Sequence, residues 1–414
     1  MKTDKTPAIR FKGFTEAWEQ RRLGDLISKG GSGGTPSTAN PNFYCGQIPF
    51  LSIADLSNSN GYIYDTEKHI TKEALDSSAA WIVPKESVSL AMYASVGKVA
   101  ILKTNIATSQ AFFNMVFHNL NTRDYCYQYL KKMEENNSWN SLISTGTQSN
   151  LNAEKVKKLS LTMPSNIKEQ EAIGKYLNHL DTLITLHQRK CDALMNIKKS
   201  LLEKMFPADG DDKPRIRFKG FTEAWEQRRL GDLISKGGSG GTPSTANPNF
   251  YCGQIPFLSI ADLSNSNGYI YDTEKHITKE ALDSSAAWIV PKESVSLAMY
   301  ASVGKVAILK TNIATSQAFF NMVFHNLNTR DYCYQYLKKM EENNSWNSLI
   351  STGTQSNLNA EKVKKLSLTM PSNIKEQEAI GKYLNHLDTL ITLHQRKCET
   401  LQNMKKSLLE RMFI

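Results

Sequence analysis

The chain has 414 residues, of which 40% are hydrophobic and 22% are charged, an ordinary composition for a soluble protein with room for two or three domains. No run of about 18 apolar residues occurs, which excludes a membrane-spanning helix, and residues 1–5 lead into no apolar segment, so no secretory signal is expected. The net charge of +10 permits nucleic-acid binding without establishing it. The six cysteines form no Cys-x-x-Cys pair, which argues against a disulfide framework or zinc ribbon and suits a reducing cytoplasm.

One domain-sized unit is present twice in the chain. Residues 7–206 match residues 214–413 at a constant offset of 207, with six differences in 200 positions. The differing pairs are Ala8/Arg215, Asp192/Glu399, Ala193/Thr400, Met195/Gln402, Ile197/Met404 and Lys204/Arg411. Short solenoid repeats are unlike this pattern. Residues 207–214 hold two prolines, a glycine and three aspartates, which favour an exposed linker between the copies.

The first part of each unit alternates short apolar runs with turns rich in glycine, proline and asparagine. Strands are predicted at residues 48–53 and 99–102, and a helix at residues 121–137, where apolar side chains recur at helical spacing. Residues 1–165 and 215–372 are therefore predicted to be two globular domains of the α+β class.

Each unit ends in one long segment of helical periodicity, and we predict helices at residues 166–206 and 373–414. Ser165 or Asn166 is the predicted N-cap, and Glu169 and Glu171 in the first turn suit the helix dipole. The apolar seam has alternating steps of four and three, as in a coiled coil, and consists of Ile173, Leu177, Leu180, Ile184, His187, Cys191, Leu194, Leu201 and Met205. Lys198 interrupts this seam, next to Ile197.

A single helix of about 40 residues, roughly 60 Å long, does not bury its own apolar stripe. The two copies would bury each other's stripe, and antiparallel pairing is the simplest arrangement because a globular domain lies between them in the chain. Such pairing predicts a pseudo-twofold axis with the two globular domains at opposite ends. A helical hairpin that serves only dimerisation is the alternative.

Enzyme motifs are incomplete in this sequence. The glycine-rich residues 30–37 lack the Gly-Lys-Ser/Thr end of a phosphate-binding loop, so a turning loop is the preferred interpretation. Residues 40–43, Asn-Pro-Asn-Phe, resemble an adenine methyltransferase box without its second proline. His179 and His187 are eight residues apart rather than four, which argues against zinc. Cys191 on the seam is predicted to be a small core residue rather than a nucleophile.

Three segments in each unit form a recognisable combination. The first is Gly-Gly-Thr-Pro-Ser at 33–37 with the run at 42–56; the second is 92–100 with 107–111; the third is 146–151, running to Met-Pro and Lys-Glu-Gln-Glu-Ala-Ile at 163–173. In this order, twice, and each time followed by a long helix, they resemble the DNA-specificity subunit of type I restriction–modification systems. The near-identity of the two copies departs from that family, whose two target-recognition domains usually differ strongly.

The resemblance implies a subunit that is not an enzyme and binds no cofactor itself. It would read double-stranded DNA with two target-recognition domains and assemble with two modification subunits and up to two restriction subunits in the cytoplasm. The modification subunits would use S-adenosylmethionine to methylate adenine N6 after base flipping, and the restriction subunits would use ATP and Mg. The long helices would fix the unread gap between two half-sites. Because the two readers are nearly identical, we predict a palindromic split target with an adenine in each half.

The residues predicted to contact DNA are amide, hydroxyl, phenol and amine side chains in the polar loops of the three segments. They are Thr35, Ser37, Tyr93, Ser95, Lys98, Gln110, Thr147, Gln148 and Asn150, with Thr242, Ser244, Tyr300, Ser302, Lys305, Gln317, Thr354, Gln355 and Asn357 in the second copy. Turn-forming and strand-capping roles are the alternative for each of them. Lys131, Lys132, Lys155, Lys157 and Lys158 would either bind phosphates or form a solvated charged face.

Two other function classes are compatible with the sequence. One is a stand-alone architectural DNA-binding protein, and the other is a coiled-coil adaptor whose globular domains bind protein. The four differences within residues 192–197 also have two explanations. Either the antiparallel helices have repacked around unequal partners, or the recognition domain alone was copied between two originally distinct helices.

Overall fold

The structure is a computed structural model that describes residues 6–143, 151–208, 210–350 and 358–414. The chain divides into two compact units: the first is Met1–Gln188 with Arg396–Ile414, and the second is Arg189–Gln395. Each unit therefore contains one globular domain, the first half of the long helix that follows it, and the second half of the other long helix. No helix among the described residues is both long and apolar enough to cross a membrane.

The strands of the first copy are β1 (Trp18–Arg22), β2 (Ile27–Ser32), β3 (Ile48–Leu51), β4 (Tyr62–Ile63), β5 (Lys68–Ile70), β6 (Ile82–Val83), β7 (Val88–Ala91), β8 (Val99–Leu102), β9 (Ile106–Thr108), β10 (Phe112–Phe117) and β11 (Ser160–Pro164). Its helices are α1 (Leu23–Leu26), α2 (Ile53–Asn58), α3 (Lys72–Asp76), α4 (Leu120–Glu135), α5 (Ala153–Lys157) and α6 (Ile167–Lys204). Short 3-10 turns occupy Pro41–Tyr44 and Ser138–Ser141.

The second copy repeats this order. Its strands are β12 (Trp225–Arg229), β13 (Ile234–Ser239), β14 (Ile255–Leu258), β15 (Tyr269–Ile270), β16 (Lys275–Ile277), β17 (Ile289–Val290), β18 (Val295–Ala298), β19 (Val306–Leu309), β20 (Ile313–Thr315), β21 (Phe319–Phe324) and β22 (Ser367–Pro371). Its helices are α7 (Leu230–Leu233), α8 (Ile260–Asn265), α9 (Lys279–Asp283), α10 (Leu327–Glu342), α11 (Ala360–Lys364) and α12 (Ile374–Met412), with 3-10 turns at Pro248–Tyr251 and Ser345–Ser348.

The described residues of each globular domain form three sheets. In the first copy their strand orders are β2-β10-β7-β8-β4, β5-β3-β9-β6 and β1-β11, and the second copy has the same orders among its own strands. The pairs β3/β9 and β4/β8 are parallel, and the other pairs of the first copy are antiparallel. Mixed sheets with separate helices confirm the predicted α+β class.

The central strands β7 and β8 of the five-stranded sheet are buried on both faces, which explains why their sequences are almost continuously apolar. Every residue of β7 and of β8 is buried. Val88 and Ile101 face a cluster that includes Tyr125 of α4, whereas Ala100 and Leu102 belong to a second cluster with β3 and β6. The domain core therefore has three layers: helix, five-stranded sheet and four-stranded sheet.

The predicted short elements are confirmed with one correction. The strand at 99–102 is β8, and the helix predicted at 121–137 is α4, whose N-cap is Asn119. The strand predicted at 48–53 ends at Leu51, because Ser52 caps α2. The Ser52 hydroxyl accepts a hydrogen bond from the amide of Asp55, whose carboxylate accepts one from the amide of Ser52, and this capping box places Ile53 in a helix.

The long helices begin where the sequence predicts, with one unexpected contact. The Asn166 side chain accepts a hydrogen bond from the Lys168 amide, which confirms Asn166 as the N-cap. Glu169 does not lie free in the first turn. It is fully buried, accepts hydrogen bonds of 2.6 and 2.8 Å from Arg10, and lies 3.3 Å from the indole nitrogen of Trp18. The buried carboxylate joins the N-terminal segment and β1 to α6.

The two long helices pair antiparallel within each unit, as predicted. In the first unit Asp181 of α6 contacts Lys405 of α12, while Gln188, further along α6, contacts Cys398, an earlier residue of α12. The seam residues Ile173, Leu177 and Leu180 are buried. In the second unit Cys191 is also buried, in agreement with its prediction as a core residue.

The seam is not interrupted at Lys198. Lys198 is buried and its ammonium lies 2.5 Å from the Asp388 carboxylate, whereas Ile197 is 49% exposed. The equivalent pair in the first unit joins Lys405 to Asp181 at 2.6 Å. A lysine thus occupies the equivalent seam position in both units, and an aspartate on the other helix of the pair neutralises its charge.

The end of each long helix completes the core of a globular domain. In the first unit Phe413 is 2% exposed, and its ring centroid lies 5.0 Å from that of Tyr125 and 5.7 Å from that of Tyr129. In the second unit Phe206 makes the same contacts with Tyr332 and Tyr336 at 5.2 and 5.6 Å.

The helix positions that differ between the copies are all exposed. They are Asp192, Ala193, Met195, Ile197 and Lys204 on α6, with Glu399, Thr400, Gln402, Met404 and Arg411 on α12. Repacking of the helix pair around unequal partners is therefore the wrong explanation, because none of these side chains lies in the seam.

Candidate nucleic-acid interface

Loops from the first two sequence segments meet at one edge of each globular domain. Residues 33–37 follow β2, residues 92–98 join β7 to β8, and residues 109–111 join β9 to β10. Because β10 is antiparallel to both β2 and β7, the carboxyl ends of β2 and β7 lie at the same edge as the start of β10. We call these three loops, with their equivalents 240–244, 299–305 and 316–318, the polar edge.

A buried polar network fixes the bases of these loops. The Asn114 amide donates to the Thr108 hydroxyl at 2.7 Å and to the Gly31 carbonyl at 3.1 Å, and its oxygen accepts from Ser89 at 2.6 Å. Asn114 is fully buried, so its hydrogen bonds are made with protein groups rather than water. The same network recurs around Asn321. It ties the ends of β2 and β9 to the middle of β10.

The Gly-Gly-Thr segment at residues 33–35 packs directly against the end of β9, just before Gln110. The amide of Gly34 donates to the carbonyl of Thr108 at 3.1 Å. A Cβ on Gly33 would lie 1.8 Å from that same carbonyl oxygen, so this approach requires glycine. The Thr35 hydroxyl then donates to the Gln110 side-chain oxygen at 2.6 Å. Thr242 and Gln317 repeat this bond at 2.5 Å. The first and second sequence segments thus place two predicted DNA contacts side by side.

The loop after β7 has a strained tip. Ser95 has φ of 56°, in the left-handed region, and its hydroxyl lies 3.2 Å from that of Ser57 in α2. The Met92 amide donates to the Ala111 carbonyl at 2.8 Å, which joins this loop to the Gln110 loop. Tyr93 is 40% exposed beside the tip. Hydroxyl and phenol groups in a strained, exposed turn are available to an incoming ligand.

The structure brings together the predicted residues that it describes. Exposed side chains are Thr35, Ser37, Tyr93, Ser95 and Gln110, with Thr242, Ser244, Tyr300, Ser302 and Gln317, and half-buried ones are Lys98 and Lys305. Six predicted contacts lie outside the described residues, namely Thr147, Gln148, Asn150, Thr354, Gln355 and Asn357. Leu151, which ends the 146–151 run at the start of the third segment, donates its amide to the Met92 carbonyl at 2.8 Å.

Sequence reasoning missed two residues at the polar edge. Ser57 lies in α2, a helix that the sequence analysis does not predict, so the sequence does not place it beside Ser95. Trp139 packs beneath Gly97 although 42 positions separate them in the sequence; a Cβ on Gly97 would lie 2.2 Å from the indole ring. In the sequence this position is marked only by a glycine, and its φ of 91° and its contact with an indole ring are known from the structure alone.

The lysines suggested as phosphate ligands mostly have partners within the first unit. Lys131 pairs with Glu134 at 2.7 Å, and Lys157 pairs with Glu154 at 3.0 Å. Lys155 donates to the Leu142 carbonyl at 3.0 Å. Lys132 is half-buried and donates to the Phe413 carbonyl at 3.1 Å, and its burial lowers its pKa, against the charge of Glu410. Lys132 is therefore half-buried and hydrogen-bonded rather than part of a fully solvated face, whereas Lys158 is exposed.

An ion-paired cluster holds the opposite end of β7 and β8. Lys103 lies 2.7 Å from Glu86, and Arg123 of α4 also pairs with Glu86. Burial alone would raise the pKa of Glu86, but hydrogen bonds from Lys103 and Arg123 lower it overall. Glu86 itself has a φ of 67°, in the left-handed region. The ion pairs therefore hold a second strained residue, at the end of the β7–β8 hairpin opposite the polar edge.

Comparison with known proteins matches this arrangement to one family. The family model for the type I restriction modification DNA specificity domain matches residues 15–196 and 222–403, well over half of the chain. The type I restriction enzyme MjaIX specificity subunit of Methanocaldococcus jannaschii is 30% identical over 256 residues, covering 59% of this chain and 58% of that protein. The chain thus spans little more than half the length of this relative.

Two further similarities extend over most of the chain. A putative type I restriction enzyme MjaX specificity subunit from the same organism is 23% identical over 418 residues, covering 95% of this chain and 92% of that protein. The S subunit of a type I restriction–modification system from M. genitalium has the same fold, with a TM-score of 0.70 at 14% identity over 99% of both chains. Family match, repeat and fold agree, and the chain therefore belongs to the type I restriction modification DNA specificity family, carrying that domain twice.

Proposed function

We propose that this protein is the sequence-specific DNA-binding subunit of a type I restriction–modification complex. The observation that supports the proposal best is the polar edge, which each matched domain carries with the same exposed hydroxyl, amide and phenol side chains. Such groups suit hydrogen bonds to base edges and phosphates of double-stranded DNA. Each polar edge would read one half of a split target, and the paired long helices would set the length of the unread gap.

The chain itself would do no chemistry. It would hold two modification subunits that use S-adenosylmethionine to methylate adenine N6 in each half-site, and up to two restriction subunits that use ATP and Mg. All of these activities would take place in the cytoplasm. The contribution of this chain is to position bases and partners, which fits the hydrogen-bonding rather than nucleophilic character of the polar edge.

The repeat supports a palindromic target. The described polar-edge residues are identical between the copies and their contacts recur, for example Thr35 with Gln110 and Thr242 with Gln317. Two identical readers paired through antiparallel helices would read the same bases on opposite strands. We therefore expect two half-sites that are reverse complements, each containing one methylated adenine.

A methylome tests this proposal. The full chain is co-expressed with a modification subunit from the same source in a host without adenine methylation, and N6-methyladenine is mapped by sequencing. The expected result is one split palindromic motif. A split motif with two unrelated halves would contradict identical readers but retain the specificity function. If no motif appears, although the same modification subunit is active with another specificity subunit, then the proposed function is wrong.

A further inference from the structure

We propose that Trp139 in the first unit and Trp346 in the second are positioning residues that hold the strained loop of the polar edge in its base-reading conformation. This inference rests on the proposed function, since it concerns how the same site achieves specificity. Neither tryptophan is expected to contact DNA, because each is only 2% exposed. Their effect would pass through Gly97 and Gly304.

The contact between ring and loop is close in both units. A Cβ on Gly97 would lie 2.2 Å from Cδ1 of Trp139 and 2.7 Å from its Cγ, and Gly304 has the same relation to Trp346. These distances are far below those of real Cβ contacts, so the backbone of the loop rests directly on the indole face. The left-handed φ values of Gly97 (91°) and Gly304 (90°) reinforce the need for glycine.

The ring supports a loop that holds conformational strain. Ser95 adopts a φ of 56° two residues before Gly97, a conformation that is strained for a residue with a side chain. Two hydrogen bonds close the loop: Gly97 donates to the Ala91 carbonyl at 3.0 Å, and Lys98 donates to the Ser95 carbonyl at 3.1 Å. Without the ring beneath Gly97, the backbone would have space to relax, and the Ser95 hydroxyl and Tyr93 phenol would leave their positions.

Among the described residues, packing rather than hydrogen bonding fixes the indole. The Trp139 Nε1 atom is buried and has no hydrogen-bond partner among the described residues, and the same is true of Trp346. Since no described residue accepts from this N–H group, the aromatic ring rather than the donor is the part of the side chain that supports the loop. Phenylalanine, which keeps an aromatic face and lacks the donor, should therefore replace tryptophan without loss of the loop conformation.

The repeat supplies an internal control for the experiment. Trp139→Ala is introduced into the full chain, and the methylome is recorded with the modification subunit as above. We expect the half-site read by the first unit to lose base identity at one or more positions while the other half-site is retained, so that a palindromic motif becomes asymmetric. Trp139→Ala with Trp346→Ala should make both halves degenerate, and Trp139→Phe should keep the wild-type motif.

A matched core variant separates positioning from stability. Leu161 is fully buried in β11, in the separate two-stranded sheet, so Leu161→Ala removes packing from the hydrophobic core that also contains Trp139 without touching the polar-edge loops themselves. It should lower the melting temperature without changing the motif. Hydrogen exchange of the Gly97, Lys98 and Leu151 amides should accelerate in Trp139→Ala and not in Leu161→Ala.

Two results would overturn the inference. One is an unchanged motif in Trp139→Ala, and the other is the same loss of base identity in Leu161→Ala. If Trp139→Ala abolishes methylation altogether, Trp139→Leu, which fills part of the space, is judged by the same criteria. A wild-type chain that gives no split motif would instead refute the proposed function itself.

Discussion

Lys198 shows how a single residue can look wrong in a sequence pattern and be required by the structure. It occupies a seam position between apolar neighbours, yet only 6% of its side chain is exposed and it pairs with Asp388 at 2.5 Å. The other carboxylate oxygen of Asp388 accepts a hydrogen bond from Gln335 of α10 at 2.7 Å. One buried carboxylate therefore joins the two long helices to the globular domain in the second unit.

We predict that Lys198→Met destabilises the second unit by about 3–5 kcal/mol, because it leaves Asp388 buried without its counter-charge. Lys198→Met combined with Asp388→Asn should recover most of this loss, since the amide still accepts from Gln335. Equilibrium urea unfolding measures both variants. Lys199→Met, at an exposed neighbouring position, is the control. If Lys198→Met is no more destabilising than the control, the ion pair does not carry the stability assigned to it.

At the scale of secondary-structure elements, each long helix contributes to two compact units. The C-terminal turn of α12 places Met412 and Phe413 in the core of the first globular domain, which also contains Trp18 and Tyr125. The backbone of Ile9 donates to the Arg411 carbonyl at 2.9 Å beside this contact. The helix end is thus part of the domain core rather than a frayed terminus.

Phe413→Ala should therefore destabilise the first unit by about 3–5 kcal/mol, the usual cost of removing a buried phenylalanine ring. Native-state hydrogen exchange of α4 amides such as Tyr125 and Leu130 should report the loss. The equivalent amides Tyr332 and Leu337 serve as the internal control, since Phe206 still packs against them. Deletion of the exposed Ile414 should have little effect. Equal acceleration in both units would contradict the assignment of Phe413 to the first core.

Local patterns predicted the elements, whereas contacts distant in sequence were not predictable from them. Periodicity identified α4, β8 and the 38-residue α6, because the apolar spacing of each is set within its own segment. The capping of α2 by Ser52 and the burial of Glu169 against Arg10 depend on partners that no spacing rule indicates. At the polar edge, residue type and loop context indicated Thr35 and Gln110, but the support of Gly97 by Trp139 required the fold.

At the scale of the whole molecule, the buried charges are compatible with antiparallel helix pairing only. The repeat gives each long helix the same two seam charges, Asp181 and Lys198 on α6 and Asp388 and Lys405 on α12. Antiparallel pairing matches each aspartate with a lysine, as the two units show. Parallel pairing of identical helices would instead place aspartate opposite aspartate and lysine opposite lysine. The best-attested role of such buried charges is to select one helix pairing over another.

This charge pattern predicts that residues 1–206 form a homodimer. In the full chain, residues 396–413 complete the first unit, and a second copy of the fragment would supply 189–206 in their place. The five helix positions that differ between these segments are all exposed, so the buried contacts are the same. Each interface would contain Asp181 of one copy against Lys198 of the other, with Phe206 in the place of Phe413.

Charge reversal makes this last prediction specific. Asp181→Lys would place two lysines opposite each other at both helix-pair interfaces of the homodimer. A loss of about 3 kcal/mol in the free energy of dimerisation corresponds to a dimer that is at least roughly 100-fold weaker. Asp181→Lys combined with Lys198→Asp restores opposite charges and should restore the dimer. Sedimentation at micromolar concentrations distinguishes the three fragments. A wild-type fragment that stays monomeric at high micromolar concentration would refute the antiparallel pairing. Dimers of equal strength for all three fragments would refute the role of the charges in selecting the pairing, because apolar burial alone would then determine how the helices pair.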